Sequence, residues 1–95
     1  MKKKELSDRG LVQLRDGSIC EVRMFPEGDG GILVDTKDLS WLALRDYTEN
    51  LEYFNKSSKD PEYDRKYDIV EVYDPSVGVT KPLWTRYKWL VESSN

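Results

Sequence analysis

Val12 and Leu14 alternate with Gln13 and Arg15, and beyond Asp16-Gly17 the alternation resumes as Cys20, Val22 and Met24 against Glu21 and Arg23. Period two marks a half-buried strand, and Asp-Gly is a strong hairpin signal. Residues Gly10–Phe25 are therefore expected to form a hairpin. A two-residue loop would set Val12 opposite Glu21. A three-residue loop with a bulge near Gly17 or Ser18 sets Leu14 opposite Cys20 and Val12 opposite Val22. A one-residue slip turns a whole face over, which favours the three-residue loop.

Further on, Pro26–Gly31 reads as a turn and Ile32–Thr36 as a short strand. Lys37-Asp38 turns the chain into a strand over Leu39–Leu44. Tyr47, Leu51 and Phe54 sit at helical spacing with Thr48 as a cap, so one or two helical turns are expected within Arg45–Phe54. Asn55–Lys66 is a polar, charged loop. Ile69, Val70 and Val72 form a strand with little alternation, which suggests a central position. Asp74-Pro75 ends its ladder, because proline has no N–H to donate. A last strand runs from Leu83 to about Leu90, with Trp84, Arg86 and Lys88 on one face and Thr85, Tyr87 and Trp89 on the other. The expected fold is mainly β: a small barrel or strongly bent antiparallel sheet of five or six strands with one short helical segment. One domain spans residues 10–90, between a flexible lead-in over 1–9 and a flexible tail over 91–95.

Composition narrows the chemistry. The 95 residues make one domain, and three Trp, six Tyr and two Phe argue for a packed core over disorder. A net charge of -3 does not fit a duplex nucleic-acid binder, which carries a basic face. No apolar run nears the length of a membrane span, and no apolar stretch follows the basic start, so neither span nor signal peptide is expected. A single cysteine, Cys20, fits a reducing cytoplasm and falls on the apolar face of its strand. Histidine is absent, which removes the commonest general base and metal ligand. With no recognisable nucleophile or phosphate motif, a non-enzyme without metal or cofactor is expected.

Four stretches invite a functional reading. Lys81–Leu90 interleaves Lys81, Arg86 and Lys88 with Trp84, Tyr87 and Trp89, as in sites that stack bases and hold phosphates. The plainer reading fills the core with one aromatic set and solvates the charges. Trp41 is expected in the core; if exposed, it becomes an interface anchor. Asp60, Glu62, Asp64 and Asp68 alternate, but Arg65 stands where a calcium loop needs glycine, so a solvated loop is expected. Glu27–Gly31 lacks the end of a phosphate loop, and Asp35 and Asp38 read as turn residues.

The order of "LRDG" (Leu14–Gly17), "SWLALRDYTENL" (Ser40–Leu51), "YDIVEVYDP" (Tyr67–Pro75) and "LWTR" (Leu83–Arg86) resembles small uncharacterised proteins encoded by phages and prophages of Gram-positive bacteria. That resemblance covers most of residues 10–86. It implies an SH3-like β-barrel of cytoplasmic, phage origin and transfers no active site. The expected function is to bind and occlude a host protein, such as a defence component. Trp84, Arg86 and Tyr87, then Trp41 and Tyr47, are the expected contacts. Alternatives are a sponge that sequesters a nucleotide signal, using Arg86, Lys81 or Lys88 for phosphate, and a single-stranded nucleic-acid module. Pairing of edge strands would make a homodimer.

Overall fold

The computed structural model describes residues 1–25, 30–54, 65–76 and 81–86. Six strands form one antiparallel sheet: β1 (Leu11–Leu14), β2 (Ile19–Met24), β3 (Gly31–Asp35), β4 (Trp41–Ala43), β5 (Ile69–Tyr73) and β6 (Pro82–Thr85). Their order across the sheet is β4-β3-β2-β1-β5-β6. The first four strands form a meander, and β5 returns to lie against β1. Among the described residues the sheet is open, with β4 and β6 at its two edges. The mainly β class expected from the periodicity is what the chain adopts, as an open sheet rather than a closed barrel.

The first hairpin does use a three-residue loop, but its register lies two residues from the expected one. Val12 faces Cys20, and Leu11 faces Glu21. Leu14 N–H donates to Ser18 O at 2.9 Å, leaving Arg15, Asp16 and Gly17 as the loop. Gly17 adopts φ 95°, the left-handed position such a loop reserves for glycine. A shift of two preserves the faces, so Val12, Leu14, Cys20 and Val22 all still enter the core. Turn chemistry at Gly17 thus fixed the register, and alternation alone could not.

At β5 a bulge decides which side chains are inside. Val12 faces Val72 and Gln13 faces Glu71, but Leu14 faces Ile69. Val70 is the extra residue. Ile69 and Val72 therefore both join the core cluster, although their odd spacing would put them on opposite faces of a regular strand. Leu33 and Leu51 complete the set of fully buried aliphatic side chains with Val12, Val22 and Ile69. Each contributes about 1.5–3 kcal/mol relative to exposure.

The expected helical turns within Arg45–Phe54 reduce to one 3-10 turn over Leu44–Asp46. Leu51 has φ 67°, which no right-handed helix accepts, and Tyr47 forms a β-bridge with Tyr53. Thr48 explains the change: its N–H donates to Glu52 O at 2.8 Å, and its Oγ1 accepts from the N–H of Asn50 and Glu52. A threonine that bonds its own neighbourhood offers the backbone a turn in place of a helix. Tyr47 and Leu51 still enter the core, while Phe54 is exposed.

Residues 1–9, expected to be a flexible lead-in, make defined contacts. A 3-10 turn spans Lys3–Glu5, and Leu6 is buried in the core. Lys3 N–H donates to Glu49 O, and its Nζ donates to Tyr47 O at 2.7 Å. No helix among the described residues is long and apolar enough to cross a membrane.

Candidate functional site

The described part of the C-terminal run is turned inward. Trp84 faces Val72 and packs on the core. Arg86 lies over its ring, 5.2 Å from the centroid. The Arg86 guanidinium donates to three backbone carbonyls: Ile69 at 3.1 Å from Nε, and Asn50 at 2.9 Å and Leu51 at 3.3 Å from Nη2. The Arg86 backbone N–H also donates to Val70 O, so the bulge is held from the β6 side. Trp84 and Arg86 share a face, as strand alternation predicts, but the cation is committed to the fold. Lys81 is exposed. Tyr87, Lys88 and Trp89 lie outside the described residues, as do Asp60, Glu62, Asp64 and most of Glu27–Gly31.

Tyr47 is a core residue. Its hydroxyl donates to Tyr67 O at 2.7 Å, and its ring meets Tyr53 edge-on at 5.3 Å. Tyr53 in turn stacks at a tilt on Tyr67. Burial holds the Tyr47 phenol above its ordinary pKa. Beside this cluster Asp68 is buried, its Oδ1 accepting from Tyr53 N–H at 2.9 Å and its Oδ2 3.4 Å from Arg15 Nη2. The carboxylate is a structural joint between the first hairpin and β5. No cluster of metal-ligating side chains forms among the described residues.

Cys20 is buried, and desolvation, with smaller contributions from Asp35, Asp16 and Asp38, pushes its thiol up to about 12. A thiol that stays protonated is no nucleophile. Asp35 and Asp38 do serve the turn. Asp35 Oδ1 accepts from Lys37 N–H at 2.7 Å, and Asp38 Oδ1 accepts from Ser40 N–H at 2.9 Å. The Ser40 hydroxyl also donates to Asp38 and, as the larger cause, holds its carboxyl below the ordinary range.

Trp41 is the correction that matters most. It was expected in the core, yet it is 62% exposed on the edge strand β4. The pairing Leu33 to Leu42 sets the inward face, so Trp41 with Val34, and Ala43 with Ile32, point outward. A one-sided sheet normally alternates apolar-in with polar-out. The outward face of the central strands is mixed: Gln13, Glu71 and Thr85 lie in one row, with Ile19 opposite Gln13 and Leu11 opposite Tyr73. The outward positions of β3 and β4 are Ile32, Val34, Trp41 and Ala43, whose one polar group is the Trp41 indole N–H, and Arg23 and Glu21 of β2 stand beside Ile32 and Val34.

Leu39 stands two residues before Trp41, ahead of β4. It is 73% exposed and adopts φ 63° at the end of the β3–β4 turn. Left-handed backbone costs a residue with a Cβ about 1–2 kcal/mol, and glycine or asparagine would avoid most of it. An exposed leucine in that conformation contributes nothing evident to the fold. The sequence carried one overlooked signal. Ile32-Leu33-Val34 is apolar at three successive positions, so both faces of β3 carry apolar side chains whichever one the core covers.

Comparison with known proteins returns no match: no family model, no curated protein and no solved structure aligns with this chain.

Proposed function

We propose that this chain is a non-enzymatic binding protein whose recognition surface is the outward face of β3 and β4, anchored by Trp41 and flanked by Leu39. The observation that supports it is the 62% exposure of Trp41, paired with outward-facing Val34 on the regular β3–β4 ladder. Tryptophan fixed on a strand is a favoured anchor, because it offers large area at low entropic cost. The strained, exposed Leu39 adds support, since such outliers gather where function requires them. In the phage or prophage setting that the resemblance implies, the partner is a host protein in the cytoplasm, such as a defence component, and the mechanism is occlusion of its surface.

The expected contact set is narrowed accordingly. Trp41 and Trp84 sit at opposite edges of the sheet and on opposite faces, so they cannot be neighbours in one flat patch. The nucleotide-sponge reading offered Arg86, Lys81 or Lys88 for phosphate; Nε and Nη2 of Arg86 go to backbone carbonyls, Lys81 is exposed, and Lys88 lies outside the described residues.

The test is capture from bacterial host lysate by the immobilised chain, followed by reconstitution with the purified partner. Trp41→Ser with Leu39→Asn is expected to abolish the complex. Leu83→Ser, which removes an equally exposed side chain on β6, is expected to leave it intact. Equal capture by all three proteins, or a complex lost only with Leu83→Ser, would remove the proposal.

A further inference from the structure

We infer that residues 1–8 form a strap that opens and recloses as one unit about Arg9 while the sheet stays folded, and that Lys3 is its latch on the turn that continues β4. The strap consists of the 3-10 turn Lys3–Glu5 and the segment that leads from it toward β1. It joins no ladder of the sheet. Among the described residues, two backbone hydrogen bonds tie the strap and its hinge to the rest of the chain: Lys3 N–H to Glu49 O at 2.9 Å, and Arg9 N–H to Val22 O at 2.7 Å. The Glu5 and Leu6 amides bond within the strap itself. Leu6 enters the core, and Met1 packs on its margin. A segment with few buried apolar groups and few backbone bonds opens at less free energy than the whole domain.

Arg9 marks the hinge. It adopts φ 67°, and its side chain is exposed. A residue with a Cβ is disfavoured in left-handed backbone. The closed strap is therefore held against a local strain that opening relieves.

The latch grips one loop. The Lys3 ammonium donates to Tyr47 O at 2.7 Å and to Leu44 O at 3.3 Å. Those two carbonyls bracket the 3-10 turn Leu44–Asp46. Lys2 Nζ adds a bond to Asn50 Oδ1 at 2.7 Å. From the other side, Arg86 donates to Asn50 O and Leu51 O. The loop thus sits between two cations, and the lysine side can release without disturbing a strand. Leu44 is buried directly after Ala43, the last residue of the three-residue strand β4. The closed strap fixes that end of the strand that carries Trp41. In this last step the inference rests on the binding role above: an open strap loosens β4 and weakens the complex.

The test is amide exchange on the intact chain in low urea. Leu6, Arg9 and Met24 N–H are expected to exchange through one shared opening, at least tenfold faster than Val12 and Cys20 on the paired central strands. Met24 is the discriminating probe: it lies in β2, yet its N–H donates to Asp8 Oδ1 in the strap at 2.9 Å. Lys3→Met should speed these three amides, and Tyr47 N–H, at least tenfold again and leave Val12 and Cys20 unchanged. Lys3→Arg, which keeps a cation able to donate to two carbonyls, should restore most of the protection. Arg9→Asn, which tolerates the left-handed backbone, should slow the same set. Strap and sheet amides exchanging at one common rate, a Lys3→Met effect shared equally by Val12 and Cys20, or Lys3→Arg no better than Lys3→Met would overturn the strap. The wild-type profile decides the first of these without any variant. In the lysate complex, Lys3→Met is expected to weaken binding at least threefold. Full binding by Lys3→Met beside loss with Trp41→Ser would overturn the link to recognition and leave the binding role standing. Indifference of the partner to both variants would remove both.

Discussion

Arg86 sits over the Trp84 indole, 5.2 Å from its centroid, while its guanidinium donates to the carbonyls of Asn50, Leu51 and Ile69. The pair that looks most like a ligand platform in the sequence therefore fastens the last described strand to the 50–51 turn and to the β5 bulge.

Arg86→Ala is expected to lower stability by about 2 kcal/mol, since hydrogen bonds from a charged donor contribute roughly 1.5–3 kcal/mol. Arg86→Lys should recover less than half, because a single ammonium cannot reproduce the planar fork. Urea unfolding of the three proteins measures this. A loss under about 0.5 kcal/mol, the usual range for surface changes, would contradict the clasp.

Leu39→Gly separates stability from recognition. Relief of the left-handed strain should raise stability by about 1 kcal/mol, while complex formation weakens. A variant that is both less stable and fully competent to bind would contradict the role given to Leu39.

Asp68→Ala should be severe. It strands the Tyr53 N–H and removes the charge beside Arg15. A buried donor left unpaired costs about 1–3 kcal/mol, so the thermal midpoint should fall by several degrees. Asp68→Asn keeps an oxygen for the Tyr53 N–H and should fall between alanine and wild type.

Alkaline pH should destabilise the fold. The Cys20 thiol is raised from 9.0 to about 12 by burial, and the Tyr47 phenol is raised for the same reason. A group raised in the folded state adds stability that is intact below its unfolded pKa. That stability is lost as pH climbs from about 9 through the folded value. Denaturation midpoints should hold from pH 8 to about 9 and fall from there to pH 11, and Cys20→Ala should flatten the first part of the decline. A midpoint indifferent to pH in that interval would show that neither group is held neutral by the fold.

Sequence pattern by itself determined the class of this protein. Alternation at Val12–Leu14 and Cys20–Met24, with turn residues at Asp16-Gly17 and Asp74-Pro75, leaves little but an antiparallel sheet, and it assigned Cys20 to the core correctly. These are local rules, set by the two-residue pleat and by backbone sterics, and they are legible one segment at a time. Only the tertiary structure decided which side of each apolar run is covered. The Val70 bulge turns Ile69 inward, Arg86 goes to backbone carbonyls, and Tyr47 closes over Tyr53. The β3–β4 register turns Leu42 to the core and so leaves Trp41 on the outward face, 62% exposed. Burial is a property of neighbours that are distant in the chain. A tryptophan in an apolar segment therefore reads the same whether the next strand exists or not.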